Sequence, residues 1–327
     1  MKKIMLADAD STIPNIAVMK LSTYHKRMGD SVSVIRGNLP YYPRIEKKYF
    51  AIPFGYDKIY CSVIFEGNKT HVTCLQDGVI YGGTGVDLKT ELTEEIENLD
   101  CDYSLYPENN ESYGFITRGC IRKCSFCKVP EKEGGIHLVS SIDKIVRHKK
   151  VKFMDNNILA YEGHLEILQE LIDKKINCQF NQGLDIRLIN NKNSELLSKM
   201  NYYGPYLFAF DNIRITDIIE RKLEIMKWRK PWSFKFFVYV HPDMPLSETI
   251  ARIEWLKKRK IFPYIMRDIE CFKSANANFY TDIAIHCNWP AYFRAMTFYE
   301  YLRYANKDER RIEKSGHLYE DNQCALI

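Results

Sequence analysis

The chain has 327 residues, of which 46% are apolar and 27% charged, with only 12 prolines and 16 glycines. That is enough for about two globular units that each bury a core, and it excludes a disulfide minidomain, a disordered chain and a collagen-like fibre. The net charge of +5 is uneven, −3 over residues 1–110 and +8 over the rest; this is compatible with a nucleic-acid partner but lacks the tight basic stripe of a dedicated binder.

In chain order, the first residues predict a strand (3–7), a polar loop (8–15), an amphipathic helix (16–28) and a second strand (31–35), a βαβ opening. Strand patterns follow at 58–65, 71–75 and 79–81, the last running into Gly82-Gly83-Thr84-Gly85, before a short acidic helix at 93–98. These elements make a small doubly wound domain over residues 1–108. The Pro, Asn and Glu cluster at 107–112 has linker chemistry, and the boundary is expected there.

After it, strand patterns at 113–117, 151–154, 177–181, 206–210, 235–240 and 262–266 alternate with helical ones at 141–148, 163–174, 194–200, 216–228 and 247–258. Six βα units with helix-length crossovers imply a parallel sheet that curls into part or all of a barrel over residues 111–270, with its sites at strand C-terminal ends. Residues 271–327 form a C-terminal helical extension with an aromatic helix at 291–304 and a charged end. The last four residues, Cys324-Ala325-Leu326-Ile327, have the shape of a prenylation box without a preceding polybasic run, which reads as a chance match. No apolar run approaches the ~20 residues of a bilayer span, and the apolar stretch Ile4 to Ala7 is too short for a secretory leader. A cytoplasmic protein with no membrane partner is expected.

Ten cysteines in a reducing compartment point to metal ligands or nucleophiles. Three of them fall within eight residues, in Thr117-Arg118-Gly119-Cys120-Ile121-Arg122-Lys123-Cys124-Ser125-Phe126-Cys127. A loop with this spacing can wrap three sulfurs around one centre, and its basic flank of Arg118, Arg122, Lys123 and Lys128 favours thiolates. Structural zinc would need a fourth ligand, for which His137 or Cys178 are candidates, and usually takes paired spacings. A four-iron cluster takes one protein ligand per iron, so three cysteines leave one iron for a non-protein ligand.

With Cys120, Cys124, Phe126 and Cys127 matching its signature, the chain resembles the radical S-adenosylmethionine (radical SAM) superfamily. The resemblance implies a partial (βα)6 TIM-like barrel over residues 111–270, with the motif after its first strand. It also implies a [4Fe-4S] cluster on Cys120, Cys124 and Cys127, whose open iron chelates S-adenosylmethionine. An external one-electron donor such as flavodoxin or ferredoxin would be a partner. The activity implied is reductive cleavage to a 5′-deoxyadenosyl radical that abstracts hydrogen from a substrate the sequence does not name.

Further cofactor contacts are expected at Phe126 and at strand ends in the barrel. Asp155, Asn156 and Asn157 follow the second barrel strand, where the superfamily binds the methionine amine; helix capping before Gly163 explains the same residues. Gln182, Asp185 and Arg187 follow the third and are expected to point inward. Arg187 could clamp the methionine carboxylate bidentately or form a purely structural bridge with Asp185. Asp211 could bind ribose hydroxyls, and His241 could face adenosine or substrate. Tyr202, Tyr203, Tyr206, Trp228 and Trp232 read as core or interface aromatics, with a base-stacking platform as the other reading. Cys178, Cys271 and Cys287 read as small buried hydrophobes.

The order of a doubly wound domain before a radical barrel resembles the cobalamin-binding members, with Ser62-Val63 and Gly82-Gly83 where that domain's motifs fall. The loop Asp8-Ala9-Asp10-Ser11-Thr12-Ile13 lacks their cobalt-ligating histidine, so a retained cobalamin-binding-like fold is expected rather than a bound corrinoid. The competing functions are a cobalamin-dependent radical methyltransferase and, in another class, a zinc-stabilised nucleic-acid-binding protein.

Overall fold

The computed structural model describes residues 1–40, 48–305 and 309–310. The protein is a mixed α/β chain whose strands pair mostly in parallel. It divides into two units between Lys152 and Phe153.

In the first unit, β1 (Lys3–Asp8) is followed by α1 (Ile16–Arg27), β2 (Ser31–Arg36), β3 (Phe50–Ile52), β4 (Lys58–Ser62), β5 (Val72–Cys74) and β6 (Ile80–Gly82). The main sheet has the order β2-β1-β4-β6, all parallel, and β3 pairs with β5 beside it. β1 reads as a continuous apolar run because both its faces are covered. Ile4 and Leu6 pack with Val18 and Leu21 of α1, while Met5 and Ala7 pack with Ile59 and Cys61. α1 begins where the Asn15 side chain accepts from the Val18 amide and ends with His25, Lys26 and Arg27 in its last turn, an arrangement that suits the helix dipole. The sheet is parallel, as an α/β unit requires, and its strand order reverses between β1 and β4.

The unit continues through α2 (Glu94–Glu97), β7 (Glu111–Gly114), β8 (Thr117–Arg118), α3 (Val129–Glu133), β9 (His137–Leu138), α4 (Ile142–Ile145) and β10 (Lys150–Phe153), which carries the chain across the division. The compact units thus do not part at the 107–112 cluster. The reason lies in the side chains before and after it. Tyr106 is buried and bonds to Asp8, Arg36 pairs with Glu108, Arg147 with Asp100, and the Tyr113 amide donates to the Tyr103 hydroxyl at 2.7 Å. The turn residues form a connection, and specific polar contacts fasten it to the sheet domain.

In the second unit α5 (His164–Asp173), β11 (Asn177–Phe180), α6 (Asn191–Lys199), β12 (Tyr206–Ala209), α7 (Thr216–Ile225), β13 (Phe234–Val240), α8 (Leu246–Lys258) and β14 (Phe262–Arg267) alternate regularly. β13 lies between β12 and β14, parallel to both. Parallel bridges Cys178↔Tyr202 and Leu184↔Phe208 set the segments around β11 and β12 alongside each other. Consecutive strands are therefore neighbours. In β13 the alternation is strict, with Phe234, Phe236, Val238 and Val240 fully buried and Lys235, Phe237 and Tyr239 half-buried on the other face, as the two-residue period of a strand requires. α8 meets the sheet with Ile250, Ile253 and Leu256.

The extension is helical: it holds α9 (Ala277–Asn288), whose position the sequence pattern did not give, and the aromatic helix expected at 291–304 is two helices, α10 (Pro290–Ala295) and α11 (Phe298–Tyr304). The break falls at Thr297, whose hydroxyl accepts from the Glu300 amide while the Glu300 carboxylate accepts from the Thr297 amide, a capping box that starts a new helix. The part of the extension beyond residue 310, with the Cys324 box, lies outside the described residues. Among the described residues no helix is long and apolar enough to cross a membrane, and the strands form separate sheets without a closed barrel.

Asp102 ties α1 to the chain leaving the first sheet: it accepts from Ser22 Oγ at 2.6 Å and Lys26 Nζ at 2.7 Å. Burial pushes its carboxyl up, but these bonds and one from Ser104 outweigh it and hold the group at about 2. A lowered carboxyl stabilises the fold above its ordinary value and loses that contribution as pH falls through the folded one. Asp102→Asn should cost about 1 kcal/mol at pH 7. The difference from wild type should shrink as pH falls from 3.8 towards about 2; urea unfolding followed by circular dichroism checks both, and a gap independent of pH would refute the assignment.

Candidate functional site

The cysteine loop leaves β8 and returns at β9, and these two short strands pair antiparallel, Thr117 with Leu138 and Arg118 with His137. The neck of the loop is clamped. Glu133 accepts from the Gly119 amide at 3.0 Å and from Arg118 at 3.2 Å, Arg118 also reaches Glu97 at 3.1 Å, and the Cys120 amide donates to the Gly134 carbonyl at 3.2 Å. Gly119 has φ +81°, and a Cβ there would overlap the Gly135 carbonyl, so only glycine lets the two strands of the neck approach this closely.

Beyond the neck the three cysteines stand on irregular backbone, each half-buried. The Arg122 amide donates to Cys120 Sγ at 3.3 Å, and the Cys127 amide turns back onto the Cys124 carbonyl at 3.0 Å. Phe126 is 40% exposed. Among the described residues no group of three His, Cys, Asp or Glu side chains stands ready to hold a metal ion; the loop places the three sulfurs on one short segment.

The donor set itself fits an iron–sulfur cluster. It supplies three soft sulfurs on a loop whose side chains can turn, and an amide N–H on one sulfur, the kind of bond that tunes such clusters. The other cysteines contrast with it. Burial pushes the thiols of Cys61, Cys178 and Cys271 up to about 12 and that of Cys101 to about 11, which opposes the thiolate a metal needs. Cys178, Cys271 and Cys287 are at most 1% exposed, as small buried hydrophobes should be. The other candidate for a fourth zinc ligand, His137, is exposed, with Nδ1 at 2.9 Å from the Gly135 carbonyl.

The residues of the first sheet do not fit a corrinoid. The crevice at the β1/β4 reversal, where a doubly wound domain takes its ligand, is filled by the chain's own side chains. Asp8 accepts from Tyr106 Oη at 3.0 Å and Asn15 Nδ2 at 3.2 Å, and Asn15 donates to Ser62 Oγ at 2.9 Å. Asp10 accepts from the amides of Ile64 and Phe65 and from Asn68 Nδ2, all within 2.9 Å. Gly83, at φ +102°, packs its backbone against the Val63 carbonyl rather than lining a cavity. The Ser62 and glycine motifs are therefore taken up by the sheet's own packing.

In the second unit the expected residues separate into several groups. Asp155 is fully buried and Asn156 half-buried just after β10. Asn157 occupies the N-cap position of a 3-10 turn at Ile158–Ala160, and α5 follows Gly163, which gives it no side-chain cap. Gln182 is exposed on the turn before Gly183, where the chain bends to let Leu184 pair with Phe208. Arg187 forms a two-bond fork on Asp185, Nε at 2.7 Å and Nη2 at 3.0 Å, while Asp185 also caps the following 3-10 turn. The structural bridge is thus present, and it fixes the plane of the guanidinium.

Asp211 follows β12 and accepts from the Tyr239 amide at 3.0 Å. Burial pushes its carboxyl up, against the pull of Arg252 and Arg187 nearby. His241 follows β13, stacks at 6.5 Å on Tyr239, and lies 3.5 Å from Asp243 and 3.9 Å from Asp268; Tyr239 donates to Asp268 at 2.7 Å. The fold thus gathers Asp185, Arg187 and Asp211, and joins them through Tyr239 and Asp268 to His241, all at the C-terminal ends of parallel strands. Tyr239, Asp268 and Arg252 were not singled out in the sequence. Arg252 sits mid-helix in α8, where its neighbours in the sequence give no sign that it reaches the Phe210 and Tyr239 carbonyls, at 2.9 and 3.1 Å. Compared with protein-family models, with curated proteins and with solved structures, the chain matches none.

Arg252 is fully buried and bridges two strand ends. Arg252→Met should cost about 3 kcal/mol by leaving both carbonyls and the Asp211 carboxyl uncompensated. All four tryptophans lie after residue 227, so tryptophan fluorescence during urea unfolding reports the second unit directly; an unshifted midpoint would contradict the bracing role.

Proposed function

We propose that the chain is a radical SAM enzyme, with a [4Fe-4S] cluster held by Cys120, Cys124 and Cys127, acting on an unidentified substrate. The observation that carries the reading is the clamped loop bearing three cysteines at this spacing, with an aromatic residue before the third. When bound, the cluster supplies one electron that cleaves the sulfonium of S-adenosylmethionine, giving methionine and a 5′-deoxyadenosyl radical for hydrogen abstraction. The electron would come from an external donor such as flavodoxin or ferredoxin. The finer fold that goes with this reading is a partial (βα)6 barrel, supported by the side-by-side parallel order of the consecutive strands β12, β13 and β14.

The chain's own residues have distinct work in this proposal. The Arg118 and Glu133 clamp fixes the ends of the loop that carries the three sulfurs. The fork from Asp185 orients the Arg187 guanidinium for a carboxylate, and Asp155 and Asn156 offer oxygens to an ammonium group. Asp211, positioned by the Tyr239 amide, presents acceptors suited to a diol. His241 carries an imidazole beside Asp268 for adenosine or substrate. The reading retains the N-terminal sheet as structure, without cobalamin.

Anaerobic purification, iron and sulfide reconstitution and dithionite reduction with S-adenosylmethionine should yield 5′-deoxyadenosine by chromatography. Cys124→Ala should lower it by at least about a hundredfold, because the cluster loses one of three protein ligands. A colourless protein carrying stoichiometric zinc would replace this reading with the zinc-stabilised one. Gly119→Ala should lower iron retention by spreading the neck; iron content equal to wild type would show that the clamp is not needed.

A further inference from the structure

We propose that the second unit carries a nucleotide-binding pocket at the N-terminal ends of β12, β13 and β14, the opposite strand ends from Asp211 and His241, taking one nucleoside phosphate. A cavity of about 360 Å³ opens there, lined by Arg229, Trp232, Lys235, Phe262 and proline rings, and among the described residues no acidic side chain lines it. That volume is at the lower end for a small-molecule site.

Two cations face it, and among the described residues neither has a carboxylate partner. Arg229 lies over the Tyr206 ring at 5.5 Å and donates only a long 3.4 Å bond from Nη2 to the Gly204 carbonyl, and its buried Nε has no hydrogen-bond partner. Lys235 Nζ lies 4.4 Å above the Tyr264 ring, and burial lowers its pKa. Two uncompensated cations at one cavity favour an anion that brings its own charge, and phosphate satisfies both a guanidinium and an ammonium.

The remaining wall is flat and apolar. Trp232 packs at 4.7 Å on Phe262, and Arg294 covers both rings at 5.1 and 4.8 Å, fixing the indole in place. The other expected stacking aromatics have structural partners. Tyr202 stacks on Tyr206 at 4.0 Å with both buried, and Trp228 donates to Ser194 Oγ at 2.9 Å. A rigid indole beside two cations is the pairing that single-strand binders use for base and phosphate. The nucleotide can be a free monophosphate or one residue of a single strand, and the chemistry of the pocket is the same for both.

The test uses the full chain, with thymidine monophosphate followed by calorimetry and a labelled eight-nucleotide thymidine oligomer followed by anisotropy, at about 50 and about 200 mM salt. At least one of the two should bind. Arg229→Gln and Lys235→Gln should each weaken that binding about fivefold or more, Lys235→Arg should restore it, and Trp232→Leu should weaken it similarly. Lys260→Gln, outside the pocket, should leave it unchanged, and circular dichroism checks that each variant is folded. Full competition by the monophosphate identifies a free nucleotide as the ligand, and binding of the oligomer alone identifies a strand. The proposal is overturned if neither probe binds, if folded Arg229 and Lys235 variants bind like wild type, or if inorganic phosphate displaces the nucleotide equally well.

Discussion

Two carboxylates at the end of β1 govern the first unit. Asp8 and Asp10 are at most 2% exposed, and an acid taken out of water is tolerated only where hydrogen bonds replace its hydration. Asp10 obtains them from two backbone amides and Asn68, which fixes the turn after β4. Asp8 obtains them from Asn15 at the start of α1 and from Tyr106. Burial still pushes the Asp8 carboxyl up, so the network opposes its desolvation only in part. Through these two side chains β1, β4, α1 and the chain leaving the sheet become one body. The place where a doubly wound domain usually opens for a ligand is closed by its own sequence.

The second unit solves a similar problem with a cation. Arg252 comes up from α8 beneath the ends of β12 and β13 and bonds their carbonyls, with the Asp211 carboxyl close by. The polar groups at that edge are positioned by bonds to backbone, and a site made this way keeps its geometry when individual side chains turn. The bonds from the Arg187 amide to Asp185 and from the Tyr239 amide to Asp211 are of the same kind.

Much of this was legible from the chain alone. The expected strands at 3–7, 31–35, 177–181, 235–240 and 262–266 all exist with ends shifted by a residue or two, because strand periodicity and β-branched or aromatic content are local signals. The division of the units was not legible, because it depends on which distant side chains Tyr106, Glu108 and Asp100 meet, and sequence spacing carries no record of that. Arg252 and Tyr239 escaped for the same reason. β3 escaped because three residues are too few for a period, and α9 because its buried positions surround most of the helix and leave no clear polar face. For the cysteine loop, spacing and residue type were legible, whereas the glycine that permits its neck and the Glu133 clamp required the fold.

The two units differ in how far their partners lie apart along the chain, and this sets an order of assembly. In the second, each strand pairs with one that follows or precedes it by a single helix, so closing contacts are local and collapse should be rapid. In the first, β1 waits for β4 more than fifty residues later, and Asp8 acquires Tyr106 only after 98. During synthesis the leading half would leave the ribosome with an unfinished sheet edge, exposed until that tyrosine emerges. A stall or a chaperone acting before residue 106 would therefore meet an open chain, and one acting after it a closed one.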